Sequence, residues 1–221
     1  MNGRDLIETI KTYGEGAKDG KLLFELAACP RCEGQPVCFK RHGVRPRQFL
    51  VFAQEVVRRV CSYLTRWKCP LCGRTFTTYP EFTLPFKRYV LPFILGRCAA
   101  YVADKARTYR EGVGEDGSVI CLEDAESGSV LWPSTLWRWV DRLGRFPLLV
   151  RQALGLIKQK DPSTDIFRAL GRPRIREDKF RSEGRRIVLK HCGELVAVDQ
   201  EYARLFGVSV FPELATGCGF T

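Results

Sequence analysis

No stretch of this sequence could cross a bilayer as a helix. A span needs roughly 18 consecutive apolar residues, and charge, Gly or Pro interrupts every candidate window sooner. No export signal is expected from MNGRDLIETIKTYGEG, which mixes charges into its apolar positions and lacks a continuous hydrophobic segment. There is no internal repeat and no low-complexity tract. The break GEGAKDG before Lys21 resembles a phosphate loop only superficially. Its spacing is wrong, Leu22 stands where Ser or Thr is required, and no strand precedes it. Acidic residues are also few, 25 against 36 Lys and Arg, leaving a net charge of +11 and a pI near 9.3. These absences exclude a membrane-spanning helix, argue against a secreted disulfide scaffold and leave no phosphate-loop nucleotide site. A hydrophobic content of 45% excludes wholesale disorder.

The basic excess favours a polyanionic partner, since the phosphate backbone draws clustered Lys and Arg. Ten cysteines with no export signal are expected in a reducing, cytoplasmic setting, as metal ligands or small buried hydrophobes. Four of them form a pattern: Cys29-Pro-Arg-Cys32 and Cys69-Pro-Leu-Cys72. A two-residue spacer lets both sulfurs of a pair point to one centre while the turn aims backbone N–H groups at them. Two pairs supply a closed tetrahedron of thiolates, which suits a structural Zn²⁺. A redox-active pair would need a strand-helix setting and usually stands alone. The separation of the pairs implies an insertion at about 45–56 between hairpin arms. Cys38, Cys61, Cys98 and Cys121 read as small hydrophobes, although Cys38 and Cys61 with His42 would make an incomplete second metal set. His191-Cys192 suggests a thiol nucleophile, but neighbours on a helix point in different directions.

The expected fold class is α+β, mainly α: a helical leader over 1–28, a β-rich zinc ribbon over 29–84, a helix-turn-helix-like domain over 85–146 and a helical C-terminal region over 147–221. Within the third segment, 111–130 carries six acidic residues and no basic ones, an acidic insertion. Short strands are expected between Cys29 and Pro80, and a first long helix over Arg88–Arg110. Further helices are expected over 147–159, 163–170 and 185–206, with the basic linker GRPRIREDKFRSEGRR between the last two. From Cys29 to Arg88 there are twelve Lys or Arg against three Glu, with aromatic residues interleaved. Such a surface suits phosphate contacts, Arg74, Lys87 and Arg88 among them, with Phe76, Phe82 and Phe86 expected mostly inside. WPSTLWRWVDRLG has the build of a recognition helix. Leu136, Trp139 or Val140, and Leu143 recur on one face, leaving Ser134, Thr135 and Arg138 for bases.

CPRC, RHG, RWKCPLCGRTFTTYPEFTLPFKRY and PSTLWRW resemble the N-terminal zinc-ribbon and helix-turn-helix region of bacterial insertion-sequence transposases. They also resemble short stand-alone proteins carrying the same module. The likeness covers residues 29–146. It implies double-stranded DNA as partner, element ends or a regulatory site as target, and Cys29, Cys32, Cys69 and Cys72 as zinc ligands. The acidic insertion interrupts the family's helix spacing. The catalytic core of full transposases, a β-sheet bearing an acidic triad, has no counterpart in the last 75 residues. Asp165, Asp199 and Glu201 read there as helix caps and solvated faces. The expectation is a non-enzymatic, nucleoid-associated DNA-binding protein whose C-terminal helices dimerise or recruit a separate transposase. The alternative is an adaptor whose ribbon grips a partner protein.

Overall fold

The computed structural model describes residues 3–29, 31–53, 56–103, 108–113, 120–121, 131–170 and 182–211. The chain forms two compact units, Met1–Val90 with Cys121–Gly128, and Leu91–Ile120 with Ser129–Thr221. It is mixed α and β, with helix predominating and a small antiparallel sheet.

In the first unit, α1 (Gly3–Asp19) buries Leu6, Ile10, Gly14 and Ala17, a stripe at spacings of three and four residues. It lies on a long hairpin, β1 (Lys40–Ala53) and β2 (Val56–Lys68), paired from Lys40↔Lys68 to Ala53↔Val56. A methyl group on Gly14 would stand 2.6 Å from Ser62 Oγ, so the missing side chain lets helix and strand approach closely. The buried Ser62 hydroxyl donates to the Ile10 carbonyl at 2.8 Å. The Arg41 guanidinium donates to the Ala17 and Lys18 carbonyls, satisfying acceptors that the helix end leaves open. Phe49, Val57, Leu64 and Phe82 are buried beneath, with Phe82 edge-on to both Tyr13 and Phe49. Each such side chain contributes roughly 1.5–3 kcal/mol by leaving water. A short β3 (Thr75–Thr77) extends the sheet to the order β1-β2-β3, and the two-residue β4 (Ile120–Cys121) pairs with β2. The return segment is pinned to β1, with Leu50 N–H donating to Arg88 O at 2.9 Å and Val90 N–H to Leu50 O at 3.2 Å.

This corrects the expected insertion at 45–56. Residues 45–53 are β1 itself, and the arms are 14 and 13 residues long rather than short. The unit also has a real core, because α1 covers the hairpin; the expected helical leader belongs to this same body.

The second unit is helical: α2 (Leu91–Ala103), α3 (Tyr109–Gly112), α4 (Pro133–Leu143), α5 (Pro147–Lys160), α6 (Ile166–Leu170) and α7 (Glu183–Phe206). The long α7 packs against α2, α4, α5 and α6 through Leu189, Cys192, Leu195, Val196, Val198 and Tyr202. It ends at Gly207, whose φ of +78° permits the left-handed turn. The helix expected over Arg88–Arg110 is shorter. It starts at Leu91 because Arg88–Val90 pair with β1 and Thr83, and α3 is a separate turn opened by a Thr108–Glu111 capping box. Most of the acidic insertion, the linker core 171–181 and the tail from 212 lie outside the described residues. The helix expected over 185–206 is α7, which begins two residues earlier, at Glu183, and so takes in the end of the basic linker. Asp199 is not on a solvated face but buried, accepting from Ser209 Oγ and, at 2.9 Å, from Val210 N–H; it ties down the chain after α7.

Candidate functional site

The two cysteine pairs are built alike. In the first, Cys29 N–H donates to Gly34 O and Glu33 N–H to Cys29 O, both at 2.9 Å; in the second, Cys69 N–H donates to Arg74 O and Gly73 N–H to Cys69 O, also at 2.9 Å. The fifth residue of each is left-handed, Glu33 at φ +56° and Gly73 at φ +71°. Glycine suits that conformation; Glu33 adopts it at a steric cost of roughly 1–2 kcal/mol.

These turns bring the sulfurs of Cys29, Cys32, Cys69 and Cys72 within 4.8 Å of one another. Cys29 Sγ lies 3.6 Å from Cys72 Sγ, and Cys32 Sγ 3.6 Å from Cys69 Sγ. Four sulfurs about 2.3 Å from a central ion would be about 3.8 Å apart, so the quartet has the dimensions of a tetrahedral thiolate site. Backbone amides of Arg31 and Cys32 stabilise the Cys29 thiolate, bringing its pKa down to about 6. The Gly34 amide favours the Cys32 thiolate too, but local desolvation among the crowded sulfurs of Cys72, Cys69 and Cys29 outweighs it and pushes that thiol up to about 12, although the residue as a whole is exposed. Thiols so crowded cannot all ionise without a cation among them. The four cysteines could hold a metal ion, and the all-sulfur set is consistent with zinc. No other group of three or more ligand-type residues gathers among the described residues, so Cys38, Cys61 and His42 make no second site.

No protein-family model matches this chain, and no curated protein or solved structure is significantly similar to it. The functional reading therefore rests on the residues themselves.

Of the expected phosphate contacts, Arg74 closes the second cysteine turn and is exposed, whereas exposed Arg88 and half-buried Lys87 lie on the segment that meets β1 at Leu50 and Arg47, farther along the hairpin. Cys38 and Cys61 are exposed, contrary to their expected role as small hydrophobes; Cys98 does fill it, the side chain of Cys121 lies outside the described residues, and Cys192 is buried as well. Burial, then the neighbouring Cys192, pushes the Cys98 thiol up. Phe82 is buried, and half-buried Phe76 packs against Phe39 at 5.0 Å, but Phe86 is exposed, against expectation.

In the second unit, α4 turns Leu136, Trp139, Val140 and Leu143 inward and leaves Ser134 and Arg138 exposed, with Thr135 half-buried. Pro133 at its first turn and Gly144 after its last residue frame the helix. The outer face also shows Trp137, over which the Arg185 guanidinium lies at 5.1 Å; Arg185 pairs with Asp141 at 3.1 Å and bonds to the Tyr109 hydroxyl. Trp137 and Arg185 were missed. The spacing of Ser134, Trp137, Arg138 and Asp141 could have shown one outer stripe, but nothing local joins Arg185 to it. A cavity of about 490 Å³ among α2, α6 and α7 has an apolar floor, and the charges on its rim are paired, Lys190 with Glu194, Arg204 with Glu201 and Asp165 with Arg168.

Proposed function

We propose that this protein is a zinc-stabilised DNA-binding protein, related to transposase DNA-recognition modules and not itself a strand-transfer enzyme. One observation carries the reading. Of the twelve cations between Cys29 and Arg88, seven are exposed, five half-buried and none buried, with only three acids in the same stretch. A merely solvated face would mix signs. In this reading Arg74, Lys87 and Arg88 hold phosphates, and Ser134, Thr135 and Arg138 meet base edges in the major groove. Cys29, Cys32, Cys69 and Cys72 hold the ion, which supplies folding energy and no open position for chemistry. The C-terminal helices dimerise or recruit a transposase partner.

The test is a titration of duplex DNA at increasing salt. Log affinity is expected to fall linearly with log salt, by about 0.9 for each phosphate engaged. Arg138→Ala is expected to cost about 1–3 kcal/mol and relax sequence preference at one position, with the fold retained. Absence of binding at low salt, or indifference to salt, would count decisively against the reading. A protein-binding adaptor is the second reading, favoured by the exposure of Leu71 (68%) close to the cysteine quartet and of Val37 (89%) in the segment after the first pair. It expects little DNA affinity from the purified chain.

A further inference from the structure

The turn after Thr83 places a residue where its chemistry is unsuited to the backbone. Lys87 N–H donates to Leu84 O at 3.1 Å, closing a four-residue turn with Pro85 second and Phe86 third. Phe86 has a φ of +63°. A turn with proline second and positive φ third is of type II form, and its third position ordinarily takes Gly or Asn, because a Cβ there crowds the backbone. Phenylalanine at that position is strained, and its ring does not recover the cost by burial. The residue is 70% exposed, and its ring neighbour is Tyr79, tilted, at 6.0 Å.

The turn is nevertheless held from both sides. Leu84 and Tyr89 are buried, Arg88 O accepts from Leu50 N–H, and Lys87 O accepts from the Arg47 guanidinium at 3.3 Å. The surrounding structure imposes an awkward conformation whose effect is to present one aromatic ring to solvent, directly before Lys87 and Arg88. A strained residue that persists inside an over-determined frame points to a role outside the fold. The flanking cations and the positive excess of residues 29–88 select a polyanion over an apolar protein groove.

We propose that Phe86 contacts nucleic-acid bases, its ring stacking on a base face while Lys87 and Arg88 engage the adjoining phosphates. This rests on the DNA-binding reading above and deepens it. The base face could come from an unpaired nucleotide or from a duplex step wedged open.

The experiment compares the full-length zinc-loaded protein with Phe86→Gly and Phe86→Trp. Two probes are used: a blunt duplex with 2-aminopurine in one strand, and the same duplex with an unpaired overhang carrying 2-aminopurine. Anisotropy gives affinity, 2-aminopurine quenching reports stacking, and urea denaturation reports the fold. Phe86→Gly is expected to lose about tenfold in affinity together with the quenching, to keep or raise its urea midpoint, and to be rescued in both DNA readouts by Phe86→Trp. Loss confined to the overhang probe identifies an unpaired base; loss on both identifies a wedge. If the wild type binds and Phe86→Gly binds equally, the ring serves something else, such as a protein partner. The inference then fails while the DNA-binding reading stands. A lowered urea midpoint would show that the ring packs within the fold and would overturn the inference too. A wild type that binds neither probe removes both.

Discussion

Cys69→Ser is expected to abolish stoichiometric zinc binding and melt the cysteine end of the first unit while leaving its hairpin folded. Cys69 is wholly buried, its sulfur 3.6 Å from Cys32 Sγ, and its amide and carbonyl each close a turn of its own pair. Residues 21–29 and 31–35 form no helix or strand, Val37 and Leu71 are exposed, and the ring pairs here, Phe24 with Trp67 and Phe39 with Phe76, are only half-buried, so little deep apolar burial holds this end together. Structural zinc binding in small domains amounts to about 10–16 kcal/mol at neutral pH, and a hydroxyl in place of one thiolate forfeits several kcal/mol of it. The distal end is independent of the ion, since Leu6, Ile10, Phe49, Val57 and Phe82 close a core of their own. Native mass spectrometry should therefore show one ion per wild-type chain and a large loss in the variant. Hydrogen exchange should rise at 29–39 and 69–77, with 44–64 still protected. Retention of both the ion and the protection would mean that the quartet is not a metal site. DNA affinity should drop as well, because Arg74 lies on the second turn and loses its fixed position.

What the sequence conveyed depended on how local each signal was. The quartet was legible because a two-residue spacer dictates the geometry of each pair, and four sulfurs admit few other arrangements. The inner face of α4 was legible because Leu136, Val140 and Leu143 repeat at helical spacing. The length of β1 was not, because the long separation of the cysteine pairs is met equally by an insertion or by longer strands, and Pro46 stands within the run. Proline is tolerated there because β1 is an edge of the β1-β2-β3 order, where a missing N–H breaks no ladder on the outer side. The amphipathic stripe of α1 announced a helix but not its partner, and only the fold reveals that Gly14 admits Ser62. Burial of Asp199 arises from a chain segment ten residues on, and the left-handed φ of Phe86 from bonds to β1; residue type announces neither.

Gly144→Ala should be the most damaging single-methyl substitution in the second unit. Gly144 follows α4 with a right-handed φ of −69°, so its backbone would accept any residue. Space is the constraint. A Cβ there would lie 2.3 Å from Val188 O, 2.7 Å from Val188 Cγ1 and 3.0 Å from Val188 C. Two of these three atoms are backbone within α7, a helix that four neighbours hold in place, so neither side can yield cheaply. Overpacking of this kind costs about 1–3 kcal/mol and more where backbone must shift; about 3 kcal/mol is expected here, with a melting temperature lower by roughly 10 °C or more. Pairing the change with Val188→Ala removes only the Cγ1 clash, so the double variant should recover part of the loss and no more. Full recovery would place the conflict in side chains and contradict the close passage of the α4 terminus over α7. The same substitution separates structure from recognition. Because α4 must move to relieve the contact, Gly144→Ala should lower stability and DNA affinity together, whereas Arg138→Ala, changing an exposed side chain on an intact helix, should lower affinity alone. If Gly144→Ala stays within about 0.5 kcal/mol of the parent, the value typical of an unconstrained surface change, then α4 is not held against α7 in the way its inner face requires.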